Sequence, residues 1–174
     1  PTTAFKNATQ GGYSPFMQLE NKAGTLCRGL GYSEIITYSF VSPAIFDQIR
    51  LPADSKLRNA MKIQNPLGED TSIMRTIALP SMLEILGRNN AYHNKNVKLY
   101  ELAKIYLPTE GQALPAEPKM LTLCTYGEGT SFFTLKGQLE AILTGLRLPK
   151  ATFTAVKDNP SYHPGRCAAV SMNG

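Results

Sequence analysis

The first side chain in this sequence with an evident chemical use is Arg75, in the run "SIMRTIALPSMLEILGRN" at residues 72–89. It stands shortly before Pro80, which opens an apolar stretch. A guanidinium can grip a carboxylate or phosphate through paired hydrogen bonds. It can equally neutralise an acid of its own chain, and Glu101 is available for that. In "VKLYELAKIYL", residues 97–107, Val97, Leu99, Ala103 and Ile105 share one strand face with Glu101. A carboxylate on an otherwise apolar face needs a cation or hydrogen-bond donors once buried. Arg75 and Glu101 are therefore expected to form a structural ion pair.

Other chemistries lack their parts. There is no P-loop and no Gly-x-Gly-x-x-Gly; "GEGTSF" at 127–132 holds only Gly-x-Gly. No Gly-x-Ser-x-Gly elbow is present. His93 and His163 lie far apart with no carboxylate or cysteine framework around either. Cys27, Cys124 and Cys167 are odd in number and widely spaced, which argues against a zinc site or a disulfide framework. They read as small core residues of a protein from a reducing compartment. No catalytic, cofactor-binding or metal residue is assigned.

The elements that would position Arg75 and Glu101 follow from periodicity. Phe16, Leu19, Ala23, Leu26 and Leu30 recur at steps of three and four, and Cys27 widens the stripe. This predicts a helix from Pro15 to about Leu30, capped by Ser14 and ended by Gly29 or Gly31. "SEIITYSFV", 33–41, predicts a strand buried on both faces. A short helix is expected from Ser42-Pro43 through Ile49, and a brief strand in "MKIQNPLG". Pro80 opens a helix with Met82, Leu83, Ile85 and Leu86 inside. Strands follow at 97–107 and in "KMLTLCTYG", separated by the proline-rich loop 108–118. A helix is expected from Ser131 to Leu146, then strands in "ATFTAV" and "CAAVSM". This order predicts an α+β fold: a mixed, largely antiparallel sheet flanked by helices.

A length of 174 residues suits one domain with a substantial core. No run approaches a membrane span, and no signal peptide opens the chain. The sequence begins with Pro1 and stops in "SMNG", where Asn-Gly predicts a hairpin turn. It reads as a piece of a longer polypeptide: an extended lead-in at 1–14, then one module at 15–174. The net charge of +5 permits nucleic-acid contact, but the basic residues are scattered rather than massed.

Five blocks together resemble a known family. "RGLGYSEIITYSFVSP" (28–43), "IQNPLGEDTSIMRTIALPSMLEILGRNN" (63–90), "VKLYELAKIYLP" (97–108), "LKGQLEAIL" (135–143) and "YHPGRCAAV" (162–170) occur in the order seen in the β chain of bacterial-type phenylalanine–tRNA ligase. The resemblance implies the catalytic-like module of that chain, with a class II aminoacyl-tRNA synthetase fold. The catalytic module itself lies in the α chain. The implied partners are that α chain, in an α2β2 heterotetramer, and tRNA through the holoenzyme. The holoenzyme would use ATP and magnesium, this piece would hold no cofactor, and the setting would be cytoplasmic, with no membrane partner.

A class II site needs an arginine two residues before an acid on the second-motif strand, and a further arginine after a Gly-x-Gly run. Here the residue two before Glu101 is Leu99, and "GEGTSF" has no arginine at its end. The resemblance therefore implies a non-catalytic module that supports the α chain's site. Its first-motif helix would carry the subunit interface at Phe16, Leu19, Ala23 and Leu26. Two alternatives stand beside this: a basic tRNA-contacting platform using Lys95, Lys98, Lys104, Lys136 and Arg166, and a free-standing synthetase-like enzyme.

Overall fold

Ser14 and Pro15 start the first helix in the manner their chemistry allows. Ser14 is extended, and its hydroxyl accepts a hydrogen bond from the Met17 amide at 3.2 Å. Pro15 takes the first helical position, where a missing N–H costs nothing. The computed structural model describes residues 10–172; the expected Asn-Gly hairpin turn and most of the lead-in lie outside the described residues. Residues 10–14 are exposed and outside regular structure.

In chain order the elements are α1 (Pro15–Gly29), β1 (Ser33–Glu34), β2 (Phe40–Val41), α2 (Ile45–Gln48), β3 (Ile73–Met74), α3 (Leu79–Ala91), β4 (Val97–Lys104), β5 (Lys119–Tyr126), α4 (Phe132–Gly145), β6 (Thr152–Ala155) and β7 (Ala168–Ser171). Gly31, with φ +85°, turns the chain out of α1 towards β1. The central sheet runs β1-β4-β5; β4 and β5 are antiparallel along their whole length, from Val97 opposite Tyr126 to Lys104 opposite Lys119. β1 joins the other edge of β4 in parallel.

Alternation along β4 sends successive side chains to opposite faces. Tyr100 points to the α1 and α4 side, into a core with Cys27, Tyr32 and Ile142. Val97 and Leu99 point the other way and pack with Met82 of α3. Ile35, Ile85, Leu86 and Cys124 close around them. A third cluster, Val41, Phe46 and Ile73, ties the β2–β3 pair to α2.

Several expectations are corrected. The α+β fold with mixed, largely antiparallel pairing is not among them: the described strands form three sheets, β1-β4-β5, β2-β3 and β6-β7, with all pairings except β1-β4 antiparallel. Residues 33–41 do not form one doubly buried strand. The alternation persists, with Ile35, Thr37 and Ser39 partly buried, but Ile36 is 92% exposed, Tyr38 82% and Phe40 47%. The reason is that residues 36–39 have no neighbouring strand. Their backbone is held by the Glu101 carboxylate and the Arg75 amide instead. "MKIQNPLG" makes only an isolated bridge, Lys62 to Ile73. The helix expected from Ser42-Pro43 through Ile49 shrinks to α2, since Ser42 and Pro43 sit in the turn before it. Leu83 faces out rather than in, and β4 stops at Lys104, short of Leu107.

Candidate functional site

Arg75 follows β3, which enters the protein beside the end of β4. Its backbone is fixed on both sides: its amide donates to the Ser39 carbonyl and its carbonyl accepts from the Tyr106 amide, each at 2.9 Å. The side chain is thus aimed along β4. Nε donates to the Lys104 carbonyl at 3.0 Å, and Nη1 donates to the Thr37 hydroxyl at 2.7 Å. Nη1 also lies 3.3 Å from each Glu101 oxygen. Glu101 Oε1 accepts from the Thr37 amide at 2.8 Å and from the Thr37 hydroxyl at 2.9 Å. Arg75 is 2% exposed and Glu101 1%.

The corner therefore unites residues from three separate segments. Its ionic groups are taken out of water, which is tolerable because each meets its counter-ion and further hydrogen-bond partners locally. With Nε and Nη1 committed inside the fold, the guanidinium is not presented to an external anion. Thr37 completes the corner, and sequence reasoning missed it. A threonine on the inward side of an alternating segment was the available sign.

Leu99, two residues before Glu101 on the same strand face, is 8% exposed and packs with Met82 and Val97. Apolar packing fills the place where an adenylating site would need a fixed cation. The described residues contain no group of three or more His, Cys, Asp or Glu side chains able to hold a metal ion. His93, at φ +60°, and His163, whose Nδ1 accepts from the Gly165 amide at 3.0 Å, both serve turns.

On the opposite face of β4, Tyr100 sits in a second polar network. Its hydroxyl donates to Glu34 Oε2 at 2.8 Å and accepts from Arg28 Nη1 at 2.9 Å. Gly24 makes room for it: a Cβ there would lie 3.1 Å from that hydroxyl. Burial, then the bond to Glu34, pushes the Tyr100 phenol above its ordinary pKa. Tyr100 lies 72 residues from Arg28 and 66 from Glu34, too far for any local pattern to have joined them.

The four α1 residues singled out as an interface do not share one environment. Phe16 is 55% exposed and Leu19 44%, whereas Ala23 is buried and Leu26 packs into the core beside Gly145 of α4. The first turns of α1 are tied to β5 through Lys119, which pairs with Glu20 and lies 5.9 Å from the Phe16 ring centroid. The five basic candidates also separate. Lys104 pairs with Glu117 at 2.7 Å, and Lys98 reaches the Leu30 carbonyl at 3.4 Å. Lys95 is exposed in the turn before β4. Only Lys136 and Arg166 line a common cavity.

The sequence profile of the phenylalanyl tRNA synthetase beta chain CLM domain matches residues 1–174. The phenylalanine–tRNA ligase beta subunit of Clostridium acetobutylicum is 40% identical over 172 residues, 98% of this chain and 22% of that protein. The corresponding subunit of Clostridium tetani is 41% identical over 175 residues, 99% of this chain and 22% of that protein. The chain thus spans about a fifth of the length of these curated relatives. Among solved structures, pyrrolysyl-tRNA synthetase from Desulfitobacterium hafniense superposes with a TM-score of 0.66 at 15% identity. That match covers 83% of this chain and 51% of the other, and it establishes a class II synthetase fold.

Proposed function

We propose, from the premise that this chain belongs to the phenylalanyl tRNA synthetase beta chain CLM domain family, that it is a non-catalytic structural module. In this reading it supports an α-chain active site that attaches phenylalanine to its tRNA with ATP and magnesium. The assembly is an α2β2 heterotetramer in the cytoplasm. Among the described residues, no helix is long and apolar enough to cross a membrane.

The observation that carries the reading is the strand face Leu99–Glu101. Leu99 is closed over by Met82, and Glu101 holds Arg75 inside the fold. An adenylate-forming site stabilises charge on the phosphoryl oxygens with fixed cations aimed outward. Here neither residue is available for that. Phenylalanine-dependent pyrophosphate exchange tests it directly. The β chain alone is expected to give no more than a no-protein control; exchange well above that control overturns the reading. A thermal shift with ATP and magnesium separates out a free-standing enzyme, which would be stabilised by them.

Support for the partner comes from bare apolar surface. Ile36, Tyr38 and Phe40 form the outward side of a segment whose sequence suits burial on both sides, and Phe16 and Leu19 stand exposed on α1. A patch of this kind marks an interaction surface. We assign it to the α chain, with Phe16 and Leu19 as the contact part of α1 and Ala23 and Leu26 as its inward anchor. Mixing the β chain with the α chain and measuring complex formation by analytical ultracentrifugation gives the test.

A further inference from the structure

A cavity of about 670 Å³ opens between the start of α4 and the β6–β7 hairpin. Its lining includes Phe132, Phe133 and Phe153 together with Lys136 and Arg166, and among the described residues it contains no carboxylate. Phe132 and Phe133 meet edge to face, with centroids 5.5 Å apart and planes at 87°. Phe133 is nonetheless 77% exposed. Lys136 Nζ lies 4.7 Å from the Phe153 ring centroid. Its acidic neighbour Glu140 is 3.7 Å away in a solvent-exposed i,i+4 pair, a weak restraint. Among the described residues, Arg166 makes no ion pair.

An exposed phenylalanine, Phe133, beside Arg166 and a Lys136 only loosely held by Glu140 has a specific chemical complement. A nucleotide carries a flat ring and an anionic phosphate in one unit. An acidic peptide carries the anions without the rings. Stacking on phenylalanine accepts any base, and flanking Lys and Arg hold the backbone. A duplex keeps its bases stacked internally and offers only phosphates, so unpaired nucleotides are the better fit. We propose that this cleft binds single-stranded nucleic acid, with an unpaired base stacked on Phe133 and the flanking phosphates held by Lys136 and Arg166. The site is on the α4 side of the module, apart from the Arg75–Glu101 corner, and does not depend on the module's being catalytically silent.

The test uses the full-length β chain in complex with its α chain. The probe is a fluorescein-labelled tetrauridylate carrying one 4-thiouridine, read by photo-cross-linking with peptide mapping and by fluorescence anisotropy. Cross-links are expected in the peptides holding Phe132, Phe133 or Phe153. Phe133→Leu is expected to weaken binding at this site about fivefold or more, and Phe133→Trp to retain it. Because Phe133 is largely exposed, neither change disturbs the fold. Lys136→Glu and Arg166→Glu are each expected to reduce the slope of log K against log salt by about 0.7. Cross-links confined to other peptides overturn the proposal. So does binding that responds to both charge changes but not to Phe133→Leu, which would mark a simple anion patch. Displacement of the probe by a poly-glutamate peptide at equal concentration would assign the cleft to an acidic protein and overturn it as well.

Discussion

Arg75 and Glu101 meet at 3.3 Å with almost no solvent contact, so the value of the pair depends on what is left behind when it is broken. Arg75→Met strands a buried carboxylate that retains only Thr37 as donor. The expected loss is about 3–5 kcal/mol, seen as a lowered urea midpoint. Arg88→Ala is the control: its pair with Glu84 is exposed, and its effect should stay within about 0.5 kcal/mol. Removing both charges with Arg75→Met and Glu101→Leu should recover part of the loss, because no unpaired ion remains. Tyr32 supplies a prediction on the alkaline side. Burial raises its phenol to about 12 from an ordinary 10.0. The folded state therefore holds that proton more tightly than the unfolded chain does. The contribution is complete below about pH 10, falls as pH rises, and is lost above about pH 12. Tyr32→Phe should flatten the fall in stability over that window in pH-dependent urea melts.

At the scale of elements, α1 divides its stripe between two tasks. Leu26 faces α4 so closely that a Cβ on Gly145 would lie 2.6 Å from its Cδ2, while Leu19 is 44% exposed. Leu19→Asp is expected to leave the thermal midpoint of the β chain nearly unchanged and to weaken α-chain association. Leu26→Asp should instead unfold the α1–α4 layer, because a carboxylate would be placed in the Cys27–Ile142 core. If Leu19→Asp leaves association unaltered in a folded protein, the contact lies elsewhere. The β5–α4 connection offers an independent test of geometry. Gly127 has φ +120°, and a Cβ there would come within 2.7 Å of the Lys95 carbonyl oxygen. Gly127→Ala should cost at least about 1–3 kcal/mol in a denaturant melt, from the left-handed backbone together with these close contacts.

Taken whole, the molecule has a class II synthetase fold in which the Leu99 face of β4 is packed shut and apolar surface lies bare along residues 36–40 and the first turns of α1. Those surfaces belong to different elements, yet both are anchored to the central sheet, through Glu101 on β4 and Lys119 on β5. Residues 36–40 lie beside α3, whereas α1 packs on the other face of β4, so the two patches offer the α chain separate contacts. Tyr38→Asp and Leu19→Asp combined should therefore weaken α-chain association by about the sum of the single changes in free energy, measured by sedimentation.

The residues alone were enough to set α1, α3 and α4, the existence of strands β4 and β5, and the family. Each rests on local pattern: Ser14-Pro15 at a helix start, steps of three and four along α1, alternation in "VKLYELA". Glu101 could be recognised as needing a buried cation, since an acid on an apolar strand face has few other outcomes. Tertiary structure decided what depends on which neighbours arrive. It brought Thr37 into the corner, left Ile36 and Tyr38 bare where the composition suggested two-sided burial, and split the α1 stripe between core and surface. It also gathered Lys136 and Arg166 at one cavity out of a scattered basic set. Periodicity states which side of an element is apolar. Whether that side meets its own chain is settled only by the packing of segments distant in sequence.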